Sequence, residues 1–198
     1  MNPATYNSDH ECYPHKMGIP PEYQHCRFDN FRSEGIKARI NSIIQAAESR
    51  SWIVMLGKTT GNGKTHNAVA AMIRSWAVNT YMPEYSSVRR HRPEDWYKYY
   101  NARKLGVELE NAGIKFSSKV DEIVDHTCIL LDEFGRAMSD KARDRLEILI
   151  DECHSNRVQL IITAGMTPAE FNNSLDGSIL RRIKDHAVMV HFDWKRQG

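Results

Sequence analysis

The chain has 198 residues, 41% of them apolar and 26% charged, with a formal net charge of +2. That length suits one domain with a short appendage, and that apolar share is enough for a real core. The near-neutral balance excludes a uniformly basic surface, and the lack of any long apolar run excludes a membrane-spanning helix.

Residues 1–30 are polar, rich in His, Pro and Tyr, and without periodicity, and are expected to form an extended N-terminal arm ahead of a core spanning 31–198. The start, MNPATYNSDHE, has no charged segment followed by an apolar one, so no signal peptide is expected. The arm carries His10, Cys12, His15, His25 and Cys26, a spacing that matches no established zinc pattern, so a flexible or partner-docking arm is expected instead. Ile36, Ile40, Ile43, Ile44 and Ala47 recur at helical spacing and predict an amphipathic helix over 36–47. The run Trp52-Ile53-Val54-Met55-Leu56 predicts a buried strand, and a helix is expected from Lys64 to about Trp76. Residues 81–95, with Pro83 and Pro93, read as an irregular connection, and a helix is expected over about 100–112 with Gly106 as its weak point.

A further amphipathic helix with Val120, Ile123 and Val124 precedes a strand at Thr127-Cys128-Ile129-Leu130-Leu131. Residues 140–154 place Leu146, Leu149, Ile150 and Cys153 on one helical face, and Val158 to Thr163 is another strand. Thr167-Pro168-Ala169-Glu170 is a helix start, with Thr as N-cap, Pro in the first turn and Glu reaching back. A last strand runs from Ala187 to Phe192. Continuous apolar strands alternating with helices predict an α/β fold, a parallel sheet covered on both faces. Cys128 in a strand and Cys153 on an apolar face behave as small buried hydrophobes, which points to a reducing, cytoplasmic setting.

The stretch Leu56-Gly57-Lys58-Thr59-Thr60-Gly61-Asn62-Gly63-Lys64-Thr65-His66 leaves a strand and opens a helix, the context a phosphate-binding loop requires. Glycines let backbone N–H groups turn inward around phosphates, and the helix that follows adds its positive end. Gly61, Asn62, Gly63 and Lys64 are the candidate ATP ligands, with the Thr65 hydroxyl placed for magnesium. The first loop position holds Lys58 where glycine is usual; either Lys58 takes that position or the loop is one residue longer. Asp132 and Glu133 follow an apolar strand, at the carboxyl end where open parallel sheets bind ligands. Asp132 would face the magnesium shell of Thr65, and Glu133 would orient and polarise the attacking water. The mixed stretch Arg89-Arg90-His91-Arg92, Trp96-Tyr97-Lys98-Tyr99-Tyr100 and Arg103-Lys104 combines cations and rings, the two contributions that bind single-stranded DNA; a solvated charged face with rings in the core is the alternative.

The segments Gly18-Ile19-Pro20-Pro21-Glu22-Tyr23 and Cys26-Arg27-Phe28-Asp29-Asn30-Phe31, the loop with its trailing His66, and Asp132-Glu133-Phe134-Gly135 together resemble the DnaC/DnaI-type helicase loaders and IstB-like transposition helpers. Ile179-Leu180-Arg181-Arg182-Ile183 and Val188 to Trp194 resemble the closing segment of the same family, so the likeness covers about 18–194. The resemblance implies an AAA+ P-loop core, a five-stranded parallel sheet between helices with no C-terminal lid, binding ATP and magnesium. It implies His66 among the nucleotide-binding residues, Arg182 as an arginine finger completing a neighbouring subunit's site, with Arg181 as the competing choice, and a replicative helicase, single-stranded DNA and further copies of the chain as partners. Similar proteins place Thr-Ser-Asn where this chain has Thr163-Ala164-Gly165, so Thr163 is expected to substitute in part and hydrolysis to be slow. A helicase loader is the first reading; a transposition helper, a small nucleotide kinase and a nucleotide-gated adaptor are the alternatives. The water-activating Glu133 argues against the kinase, because transfer to a bound acceptor needs no activated water.

Overall fold

The computed structural model describes residues 13–31, 37–79, 96–135 and 137–193. Five parallel strands form one sheet in the order β2-β3-β4-β1-β5, with β1 Trp52–Leu56, β2 Tyr97–Asn101, β3 Cys128–Phe134, β4 Gln159–Ala164 and β5 Ala187–His191. Helices α1 Lys37–Glu48 and α2 Lys64–Asn79 precede β2. After it come α3 Ala102–Asn111, α4 Phe116–Val124, α5 Asp140–Ser155, α6 Pro168–Asn173 and α7 Gly177–His186. Among the described residues no helix follows β5.

The three inner strands explain why the sheet is sandwiched. Strand side chains alternate faces, and here both faces are apolar. Trp52, Val54, Leu56, Ile129, Leu131, Leu160 and Ile162 join α3, α4, α5, α6 and α7 in one core. Ile53, Met55, Leu130 and Ile161 join α1 and α2 in the other, through Ile43, Ala47, Ala68, Val69 and Met72. Each fully buried aliphatic side chain contributes roughly 1.5–3 kcal/mol relative to exposure, so the sheet cannot leave either face uncovered. The helix start at Thr167 forms as expected, with the Thr167 hydroxyl accepting from the Glu170 N–H and the Glu170 carboxylate accepting from the Thr167 N–H.

Two features differ from the expectation. One sheet edge is the strand Tyr97–Asn101, where no strand was expected, and α3 begins at Ala102 directly after it. This strand lies in the stretch of cations and rings read either as a DNA-binding surface or as a solvated face with rings in the core. Tyr97 is buried in the α2-side core, Trp96 packs against that core, and Tyr100 packs against the opposite one. The fold thus uses these rings in its two cores, as the alternative reading of the stretch has it. Arg89, Arg90 and Arg92 lie outside the described residues, as do Ile36, His10, Cys12 and Trp194.

The second difference is the N-terminal segment. Met17, Ile19 and Cys26 are at most 2% exposed and belong to the α2-side core. The Tyr99 N–H donates to the Met17 carbonyl at 2.8 Å. An edge strand exposes unpaired backbone groups, and the segment covers that edge of β2. Residues 13–31 are therefore packed as part of the domain, with a short 3-10 turn at Pro21–Tyr23, and are not an extended appendage.

Candidate functional site

The loop expected to bind phosphates runs from Gly57 to Gly63, between β1 and α2. Gly57 passes so close to β5 that a Cβ there would overlap the Phe192 carbonyl oxygen. Lys58 follows it with an exposed side chain, ion-paired to Glu170 at 2.6 Å. Asn62 is 3% exposed and pins the loop to the sheet, its Nδ2 donating to the Phe192 carbonyl at 2.8 Å. Lys64 Nζ donates to the Thr59 carbonyl at 2.9 Å and to Asn62 Oδ1 at 3.0 Å, both acceptors within the loop itself. Burial lowers the Lys64 pKa, an effect that the nearby Asp132 partly offsets.

Three hydroxyls converge on Asp132, which is only 3% exposed. Thr65 Oγ1 donates to Oδ1 at 2.9 Å, Thr163 Oγ1 to Oδ1 at 2.6 Å and Tyr99 OH to Oδ2 at 2.8 Å. A buried carboxylate is costly without such donors. The Tyr99 phenol is pushed well above its usual range, first by burial and then by the Asp132 charge, so it stays protonated and donates. Thr163 is thus committed to Asp132, and its Oγ1 also accepts from the Glu133 N–H at 3.0 Å.

Glu133 sits in a break of the β3–β4 register between Leu131 and Phe134, with φ 61°. A non-glycine residue in that left-handed region costs roughly 1–2 kcal/mol. The Thr163 hydroxyl holds the turned peptide, and Asn101 Nδ2 donates to Glu133 Oε2 at 3.1 Å. Asn101 reaches it because β2 sets Asn101 opposite Asp132 in the ladder. Asn101, Glu133, Asp132, Thr65, Tyr99 and Tyr23 line one polar cavity of about 480 Å³. Tyr23 and its neighbours in the N-terminal segment supply one wall.

The remaining loop residues face that same segment. Gly63 has φ 90°, and a Cβ there would overlap the Phe31 ring. His66 lies against Phe31, ring centroids 5.1 Å apart, and its Nε2 is 2.8 Å from the Arg27 carbonyl. The structure therefore turns His66 toward the N-terminal segment and not into the cavity. The sequence marks Tyr23 and Phe31 only through the family-like N-terminal segments and Tyr99 only within the stretch of cations and rings, and nothing in it points to Asn101. The period-two placing of Tyr97 and Tyr99 is the one signal that could have marked β2.

No family model and no curated protein sequence matches the chain. Solved structures match it in fold. The DnaC helicase loader aligns with a TM-score of 0.67 at 16% identity, over 87% of this chain and 99% of that one. The chain has a DnaC-like fold. DnaI shares it, at a TM-score of 0.65 and 15% identity over 88% of this chain and 95% of its own. AMPPCP-bound DnaA from Aquifex aeolicus aligns at 0.62 and 16% identity, over 90% of this chain but 52% of DnaA. The five-stranded parallel sheet between helices matches the expectation for this fold.

Within the DnaC-like fold, Arg182 stands on α7 and is not among the residues lining the cavity. It pairs with Asp151 of α5 at 2.8 Å, while neighbouring Arg181 is exposed. Among the described residues no helix is long and apolar enough to cross a membrane.

Proposed function

We propose that the chain is a magnesium-dependent ATPase of replication initiation that helps place a replicative helicase on single-stranded DNA. The observation that carries this reading is the convergence of Thr65, Asp132 and Glu133 at the carboxyl end of β3, beside a glycine-rich loop that opens α2. Likeness to the DnaC helicase loader, and to DnaA solved with single-stranded DNA, supports the biological setting.

The donor set fits the ion. Thr65 Oγ1 and Asp132 Oδ1 are hard oxygens 2.9 Å apart, the ligand type magnesium prefers. Thr65 and Asp132 would hold magnesium, which supplies charge neutralisation at the phosphates. The N–H groups of Gly61, Asn62, Gly63 and Lys64 would cradle phosphate oxygens. Lys64 would exchange the Thr59 carbonyl for them, an ion pair replacing a bond to a neutral acceptor. Glu133, oriented by Asn101, would accept the proton of the attacking water. Arg182 would leave Asp151 and stabilise transition-state charge in a neighbouring copy, and in this reading the N-terminal segment is a strap over an ATPase core.

The test is phosphate release and nucleotide affinity in three variants. Lys64→Ala loses tight ATP–magnesium binding, Glu133→Gln binds but does not turn over, and Arg182→Ala binds but turns over on the order of a thousandfold more slowly. Mixing Arg182→Ala with Lys64→Ala restores activity, because the second variant donates its own Arg182 to an intact site. Glu133→Gln hydrolysing at the parent rate overturns the reading.

One observation favours a second reading, a nucleotide-gated adaptor with little hydrolysis. Residue 165 is glycine and offers no polar side chain beside the end of β4, although a side chain there would meet nothing within 4 Å. Tight ATP binding with negligible phosphate release in the parent, and faster release in Gly165→Asn, is the outcome that selects it.

A further inference from the structure

His25, Cys26 and His66 each bring one ligand atom to a point where all three lie within 4.8 Å of one another. Their spacing in sequence hides this, because two come from the N-terminal segment and the third from the first turn of α2. We propose that these three side chains form a zinc site with an open fourth position, stapling the N-terminal segment to the helix that follows the phosphate loop.

The donor chemistry selects the metal. Two imidazoles and a thiolate suit zinc, whereas magnesium and calcium take oxygen. Zinc–nitrogen and zinc–sulfur bonds place tetrahedral ligand atoms about 3.3–3.6 Å apart. The cluster needs to close by about 1 Å to reach that geometry. His25 is exposed and free to swing inward, while Cys26 is buried and His66 is half-buried, so the fixed part of the site is already built.

One ring nitrogen of His66 is engaged by the backbone, which leaves the other for a metal. A carbonyl oxygen can only accept, so the Nε2 facing the Arg27 carbonyl at 2.8 Å is the donor. The neutral ring then carries its lone pair on Nδ1, and metal-bound histidines are oriented by the same kind of backbone bond. The Cys26 thiol is pushed up to about 11 by burial and keeps its proton in the free protein. Zinc binding replaces that proton, which leaves to solvent as the zinc–sulfur bond forms.

The site is separate from Thr65 and Asp132 in donor type and in the residues used, so it does not rest on the ATPase reading. Its consequence is mechanical. Arg27 follows Cys26 directly, and Phe31, later in the same segment, lies on Gly63, so the metal would fix the strap over the loop.

The experiment uses the full chain, stripped with chelator and titrated with zinc against a chromophoric competitor, then loaded with cobalt to read the thiolate-to-metal charge-transfer band. We expect one zinc per chain and a charge-transfer band. Cys26→Ser loses the band, and His25→Ala, on the exposed side, weakens zinc binding by at least ~10-fold. His15→Ala, outside the cluster, binds as the parent does. Absence of stoichiometric zinc, or binding unchanged in both Cys26→Ser and His25→Ala, overturns the proposal. An equal loss in His15→Ala overturns it as well, because the metal would then sit elsewhere on the segment.

Discussion

The Tyr99 hydroxyl donates to Asp132 Oδ2 at 2.8 Å, joining the edge strand β2 to the carboxylate expected to face magnesium. The two come together because Tyr99 pairs with Leu130 in the ladder, two residues before Asp132. Tyr99→Phe keeps the ring in place and removes only the donor. A buried carboxylate oxygen then loses its partner, at a cost of about 1–3 kcal/mol. Chemical denaturation should show that loss, and magnesium should be needed at higher concentration for nucleotide binding. Unchanged stability and magnesium dependence would show that solvent replaces the phenol.

Asn101 and Glu133 make the second such pair, at 3.1 Å. Asn101→Ala leaves the Glu133 carboxylate without this guide while the phosphate loop is untouched. Turnover should fall by about tenfold, the size expected for losing a positioning partner, with ATP affinity unchanged. Measuring kcat and KM separately decides it, since a purely structural defect would move both.

Gly63 and Phe31 are matched across the loop. Gly63→Ala places a methyl group on the Phe31 ring and a side chain at φ 90°. The backbone part alone costs roughly 1–2 kcal/mol. Phe31→Ala removes the clash but not the backbone part. The double variant should therefore be less destabilised than the sum of the single ones, with the coupling read from a double-mutant cycle. Strict additivity would mean that the ring simply moves aside.

The Lys58–Glu170 pair predicts a pH dependence. Hydrogen bonds from Lys58, and then from the Thr167 N–H and hydroxyl, hold the Glu170 carboxyl down at about 2. Its value is depressed on folding, so its contribution is present above its ordinary value of 4.5 and is lost as pH falls through about 2. The stability difference between the parent and Glu170→Gln should be constant near neutral pH, shrink below 4.5 and vanish below about 2. A difference that persists under fully acid conditions would assign the effect to the Thr167 cap.

What the sequence determined by itself was the inner sheet and the residue types of the site. Strands β1, β3 and β4 are buried on both faces, and such strands must be continuous apolar runs, a signal carried by adjacent residues. The Gly61 to Thr65 stretch and the Asp132-Glu133 pair were legible for the same local reason. The edge strand β5 was legible as well, as the run from Ala187 to Phe192, whereas the edge strand β2 was not, because its Tyr97-Lys98-Tyr99-Tyr100-Asn101 sequence looks like a polar surface segment. Only tertiary structure decided that Tyr99 and Asn101 serve the carboxylates, that His66 turns to Arg27, and that Cys26 is buried beside it. Each of these is a contact between residues at least 30 positions apart, or between segments whose approach is set by sheet register and core packing. Neither leaves a mark on the sequence near any one of the residues involved.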